Sequence, residues 1–186
     1  MVSLRKYDIL KVFITAKYKV HRTKGNREMI LENEKIKQAL EYIKEEDPVT
    51  TQDTLNMCQI PAPSYKEEKK AEYIRERFRE IGLRDVRIDA VGNVLGIWPG
   101  TGEGPSVMLA AHTDTVFPEG TDLSIRKEGN RYYCPGINDD THAVAEMIAV
   151  AKAMIHAYLH TKVDLIFCAN VCEEGLGDLR GVKYLF

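Results

Sequence analysis

The sequence predicts an α/β layered fold with a mixed, largely parallel sheet flanked by helices. Three observations carry that expectation. Apolar segments of strand length alternate with segments of helical period. The 186 residues suffice for one sizeable core. No apolar run approaches the roughly 20 residues needed to cross a bilayer. A hydrophobic share of 44% beside 29% charged residues fits a soluble globular chain, and a net charge of -2 offers no electrostatic case for nucleic acid. Neither nucleic acid nor membrane is therefore expected as a partner. Cys58, Cys134, Cys168 and Cys172 form no CxxC pair, and the N-terminus lacks a small-residue cleavage site. Reduced thiols in a cytoplasmic protein are expected. Cys168 and Cys172 sit four apart in a predicted strand, so one face for both is expected and a disulfide between them is not.

Residues 1–28 form a basic N-terminal arm, rich in Lys and Arg. It reads as a loosely ordered segment, as sequence upstream of a functional start at Met29, or as a membrane-surface or RNA-binding arm. From residue 29 the globular part begins. In EKIKQALEYIKEE, Ile36, Leu40 and Ile43 fall at helical spacing, and a second helix is expected over TTQDTLNMCQI. In PSYKEEKKAEYIRERFREIGL, Ser64 and Glu67 have capping-box spacing. Ala71, Ile74, Phe78 and Ile81 make an apolar stripe, and Gly82 stops the helix. The charges of this helix are expected on a solvated face. DVRIDAVGNVLGIWPG turns at VGN and predicts a hairpin; IRKEGNRYYC predicts another around Gly129-Asn130. SVMLAAHTDTV is a strand with a polar end. THAVAEMIAVAKAMIHAYL is a long, mostly apolar helix, KVDLIFCANV a further strand, and GDLRGVKYLF the opening of a last helix. No GxGxxG follows any strand, which argues against a dinucleotide binder.

Polar residues collect where these elements end. His112 and Asp114 in AAHTDTV are two apart and face the same way on an extended chain. Asp139 and Asp140 precede the long helix in PGINDDTHA, and Glu173 and Glu174 end the strand-like run LIFCANVCEEG. Ligands of open α/β sheets gather beyond the carboxyl ends of the strands, where all three clusters could meet. Carboxylates crowded together cannot all stay ionised without compensation. Oxygen donors with an imidazole suit Zn2+, with Co2+ or Mn2+ as alternatives.

The ordered trio HTDTV, GINDD and CEEG resembles the M20 family of zinc metallopeptidases and amidohydrolases. That family includes carboxypeptidase G2-like enzymes, peptidase T and acetylornithine deacetylase. His112 to Asp139 spans 27 residues and Asp139 to Glu173 spans 34. The resemblance runs from about Leu55 to Phe186, with weaker support from the IPAPSYKEE helix and GNVLGIWPG. It implies an exopeptidase-type three-layer fold, two metal ions, and hydrolysis of an amide in a small peptide or N-acyl amino acid. It implies His112 as ligand of one metal, Glu174 as ligand of the other, and Asp139 as the carboxylate bridging both. Glu173 is implied as general base and Asp114 as the group orienting the His112 imidazole. No ligand role falls to Asp140, which is expected to cap the following helix; His142, His156 and His160 are expected to be structural.

The family pattern continues with a further acidic ligand, a lid or dimerisation domain and a last His, none of which follows Glu174 here. Residues 29–186 are thus expected to be the N-terminal part of a catalytic domain. The rest of the site would come from a separate C-terminal half or a homodimer partner. The competing expectation is a catalytically incompetent fragment or an interaction module.

Overall fold

The computed structural model describes residues 30–186; the basic arm expected over 1–28 lies outside the described residues, as does Met29. Helix α1 (Glu34–Glu45) opens on Asn33, whose side-chain oxygen accepts from the Lys35 and Ile36 N–H groups. Helix α2 (Asp47–Cys58) carries Pro48 in its first turn, where a missing N–H is harmless, and so begins before the TTQDTLNMCQI stretch. Helix α3 (Glu68–Glu80) is followed by Gly82 at φ 89°, as its sequence predicts.

Strands β1 (Arg84–Ile88) and β2 (Val94–Trp98) form the first expected hairpin, and β4 (Arg126–Glu128) with β5 (Arg131–Tyr133) the second. Strand β3 (Val107–His112) lies between them in the chain, and helix α4 (His142–His156) separates them from β6 (Leu165–Asn170). Helix α5 (Arg180–Leu185) follows. The main sheet has the order β1-β2-β6-β3 and is mixed. β1 with β2 and β2 with β6 pair antiparallel, while β3 and β6 run parallel, from Val107 opposite Leu165 to His112 opposite Asn170. β6 has a neighbour on both sides, which accounts for its nearly unbroken apolar sequence. Its parallel register with β3 sets the carboxyl ends of both strands side by side, and this is what builds the site.

Helix α3 packs on β1 and β2, α4 packs on β3 and β6, and α1 and α2 lean on α4. One core joins them. Ile74 and Phe78 of α3, Val144, Ile148 and Ala151 of α4, and Phe167 of β6 are each at most 1% exposed. Full burial of one such Phe is worth about 2–3 kcal/mol against an exposed ring.

Two local expectations are corrected. The Ser64–Glu67 capping box does not form: α3 has Glu67 at its N-cap without a side-chain cap bond. Ser64 Oγ donates instead to Asp114 at 2.6 Å, and Glu67 accepts from the Cys172 N–H at 3.0 Å. Tertiary partners outbid the local pairing because both side chains are carried toward the sheet end. Cys172 does not share a strand face with Cys168, since β6 ends at Asn170 and Cys172 turns away at φ 53°. All four cysteines are free thiols.

Candidate metal centre

Three chain segments meet at the carboxyl end of β3 and β6. His112 is the last residue of β3 and is 8% exposed. Asp139 and Asp140 stand in the tight turn Ile137–Thr141 that leads into α4. Glu173 and Glu174 lie just past β6, and the Val171 N–H that opens their turn donates to Asn93 Oδ1 at 3.0 Å. Asn93 is fully buried and also donates to Asp89 at 2.8 Å and to the Gly181 carbonyl at 3.0 Å. One amide thereby ties the β1–β2 turn, the end of β6 and helix α5 together.

The side chains converge. His112 Nε2 is 3.1 Å from Asp139 Oδ1 and 3.8 Å from Glu173 Oε2. Among the described residues, His112, Glu173 and Glu174 each present one donor atom within 4.8 Å of the other two. His112 Nδ1 lies 3.1 Å from the Asp114 carbonyl and 3.4 Å from its carboxylate. An N–H on Nδ1 therefore points at Asp114, which leaves Nε2 to face the acids. Asp114 is fully buried and is a hub: its carboxylate also accepts from Ser64 Oγ and from the Glu173 and Glu174 N–H groups, at 2.9 and 3.1 Å.

The electrostatics record the crowding. Burial opposes protonation of His112, but its hydrogen bond to Asp114 and the charges of Asp140, Asp114 and Glu173 prevail and lift it to about 9. Burial would raise Asp114, yet the bonds from His112, Ser64, Glu173 and Glu174 hold it at about 2. Glu174 is raised by burial and then by Asp139, Glu173 and Asp114. An imidazole facing several carboxylates, with Glu174 raised among them, is a donor set that could hold a divalent cation.

Asp140 departs from expectation. It does not cap α4, whose N-cap is Thr141 and has no side-chain cap bond. Its carboxylate accepts from the His112 N–H at 3.2 Å, and burial pushes its pKa to about 6. The turn points this side chain back at β3 instead of along the helix. His142 keeps its structural reading, pairing with Glu146 at 3.2 Å and with Thr54 at 3.2 Å.

The sequence reading missed Lys70. It assigned the charges of α3 to a solvated face, whereas Glu67 is 5% and Lys70 2% exposed. Lys70 Nζ donates to Thr141 Oγ1 at 3.4 Å, at the end of the turn bearing Asp139. The available signal was spacing, because Lys70, Ile74 and Phe78 recur every fourth residue on the buried face of α3.

Gly136 holds that turn at φ 73°, and a Cβ there would come within 2.6 Å of Thr115 Cγ2. Gly136→Ala is expected to cost about 1–3 kcal/mol through overpacking and backbone strain. A lowered urea midpoint would show it, and an unchanged midpoint would refute the tight approach.

An α/β sheet whose strand ends gather an imidazole and several carboxylates defines a class of chain with a candidate cation site at the sheet's carboxyl edge. Comparison with known proteins makes this specific. Residues 108–186 match the model of Peptidase family M20/M25/M40. A protein assigned as a LysW-lysine/LysW-ornithine hydrolase in Pyrococcus abyssi is 34% identical over 129 residues, covering 69% of this chain and 34% of that one. The dipeptidase Dug1p from Saccharomyces cerevisiae has the same fold over 75% of this chain and 35% of its own, with a TM-score of 0.62 and 19% identity. YxeP of Bacillus subtilis, a dinuclear metal-binding peptidase of the M20 family, aligns over 75% of this chain and 40% of its own, with a TM-score of 0.53 and 15% identity. The chain belongs to this peptidase family. It spans about a third of the length of the curated relatives it matches. Among the described residues, no helix is long and apolar enough to cross a membrane.

Proposed function

We propose that the chain contributes part of a dimetal site that hydrolyses an amide bond in a small peptide or an N-acyl amino acid. The observation that carries the reading is the convergence of His112 Nε2 with Asp139 at 3.1 Å and with Glu173 and Glu174 in one 4.8 Å group. His112 and Glu174 would each hold one ion and Asp139 would be shared between them, with Zn2+ as the expected ion and Co2+ or Mn2+ as substitutes. Divalent ions bound there supply Lewis acidity toward an amide carbonyl and acidify water.

The chain's own residues do the rest. Asp114 accepts the Nδ1 proton of His112 and so keeps the Nε2 lone pair aimed at the acids. Through its bonds to the Glu173 and Glu174 N–H groups, Asp114 also fixes where both carboxylates stand. Glu173 takes a proton from the attacking water and returns it to the departing amine. A relative named as a hydrolase of LysW-linked lysine and ornithine supports hydrolysis without fixing one substrate, which is why the substrate class is broad. The remaining ligands would come from a downstream half or a second copy, and four reduced thiols support a cytoplasmic setting.

Zinc titration by calorimetry tests the reading, with hydrolysis followed on dipeptides and N-acyl amino acids for the chain alone and with a downstream half added. His112→Ala is expected to weaken zinc binding by at least about 10- to 100-fold. Glu173→Gln is expected to keep the metal and cut turnover by about 100- to 10,000-fold. Absence of zinc uptake in every combination overturns the reading. Uptake without turnover in any combination supports the second reading, a metal-binding module. The 77% exposure of the Asp139 side chain favours that alternative, because an open carboxylate binds an ion more readily than it shields a reaction from water.

A further inference from the structure

Cys58 and Cys134 meet near Lys70, and nothing in the hydrolytic reading uses them. Cys58 ends α2 and is 2% exposed; Cys134 directly follows β5 and is half-buried. Cys134 Sγ lies 3.6 Å from the Cys58 carbonyl and 3.4 Å from that of Leu123, while Cys58 Sγ donates to the Leu55 carbonyl at 3.3 Å. They open to different spaces. Cys58 lines a small enclosed cavity with Lys70, Thr115 and Leu123, whereas Cys134 lies in an open trough with Arg126, Tyr132 and Ile137; Pro135 lines both. The result is one half-buried thiol backed by a second that is buried; burial pushes the Cys58 thiol up to about 12, and the nearby Lys70 ammonium offsets only part of that.

We propose that Cys58 and Cys134 form an oxidisable pair that peroxides close to an intramolecular disulfide. The Cys134 sulfur attacks a peroxide oxygen and the O–O bond breaks. The departing hydroxide takes the thiol proton, leaving a sulfenic acid and one water. The Cys58 sulfur then attacks the Cys134 sulfur, the S–O bond breaks, and the second hydroxide leaves as water with the Cys58 proton. Two thiols lose two electrons and the peroxide is reduced to two waters. The Cys134 sulfur already lies against the Cys58 backbone, and pairing would take the Cys58 sulfur from its bond to the Leu55 carbonyl. The bond would fasten the end of α2 to the segment that runs from Cys134 into the Asp139 turn, so oxidation would stiffen the approach to the acidic cluster without touching a ligand.

Hydrogen peroxide applied to the folded chain tests this, with blocked free thiols and non-reducing peptide mapping. The expected product is monomeric, lighter by the two thiol hydrogens, with a Cys58–Cys134 crosslink that dithiothreitol reverses and with Cys168 and Cys172 still free. In Cys58→Ser, the sulfenic acid on Cys134 should persist and be trapped by dimedone. Mapping of the unmutated chain decides the matter even if that variant unfolds. Sulfinic acid on Cys134 with Cys58 unmodified, four free thiols after treatment, or a crosslink involving Cys168 or Cys172 overturns the proposal.

Discussion

Lys70→Met stabilises the chain at neutral pH, and the gain shrinks as pH rises through the alkaline range. Lys70 is 2% exposed, and burial pulls its pKa from the usual 10.5 to about 8, against the smaller raising effects of Cys58, Cys134, Asp114 and Glu67. A lowered lysine pKa means the fold binds the proton less well than the unfolded chain does. Below about 8 both states are protonated and the full penalty is present, about 3 kcal/mol for a gap of this size. Between about 8 and 10.5 the fold releases the proton while the unfolded chain keeps it, so stability rises with pH across that window. Methionine fills a similar volume without a charge, and the bond it forfeits is a long one, 3.4 Å to Thr141. Urea midpoints of both proteins at pH 7 and pH 10 provide the measurement. The variant should lead by about 3 kcal/mol at pH 7 and by far less at pH 10. An equal lead at both values would mean that Lys70 escapes to solvent.

The same lysine marks where sequence reading stops. Among the described residues, sequence patterning placed helices α1 to α5 and both hairpins, because hydrophobic spacing is imposed by burial and burial is what forms the elements. It could not reveal that β3 and β6 are parallel neighbours, since an apolar run such as LIFCAN fits any interior position. The acids and His112 were legible as clusters at element ends, and their meeting follows from the register of His112 opposite Asn170. What stayed hidden is the support beneath them. Ser64 and Glu67 matched a local cap, yet their partners lie 50 and 105 residues away. Asp140 matched a helix cap, yet it serves the β3 backbone across 28 residues. Short-range rules fail where a polar side chain is carried to a crowded strand end, because a buried long-range bond outweighs a solvated local one.

Asp114→Ala is expected to be the most damaging single change. The carboxylate is fully buried and accepts from Ser64 Oγ, from the Glu173 and Glu174 N–H groups, and from His112. Alanine leaves the Ser64 hydroxyl and the Glu173 and Glu174 N–H groups without this acceptor, while His112 keeps only the Asp114 backbone carbonyl, at a cost of about 3–5 kcal/mol. The pH response separates this from plain loss of packing. Asp114 is held at about 2, below its usual 3.8, so its stabilisation is complete above 3.8 and fades as pH falls through about 2. His112 is lifted from 6.5 to about 9, so its share is complete below 6.5 and fades as pH rises through about 9. Both windows report one interaction seen from its two partners. Without metal, in chelator, the native chain should therefore lose stability between pH 6.5 and about 8, below the range where Lys70 adds to it, while Asp114→Ala should start lower and fall less there. Asp114→Asn separates shape from charge, since the amide keeps the volume but not the carboxylate that draws His112 upward. If Asp114→Asn retains the alkaline fade, the pull on His112 comes from Asp140 and Glu173, and Asp114 serves the turn alone.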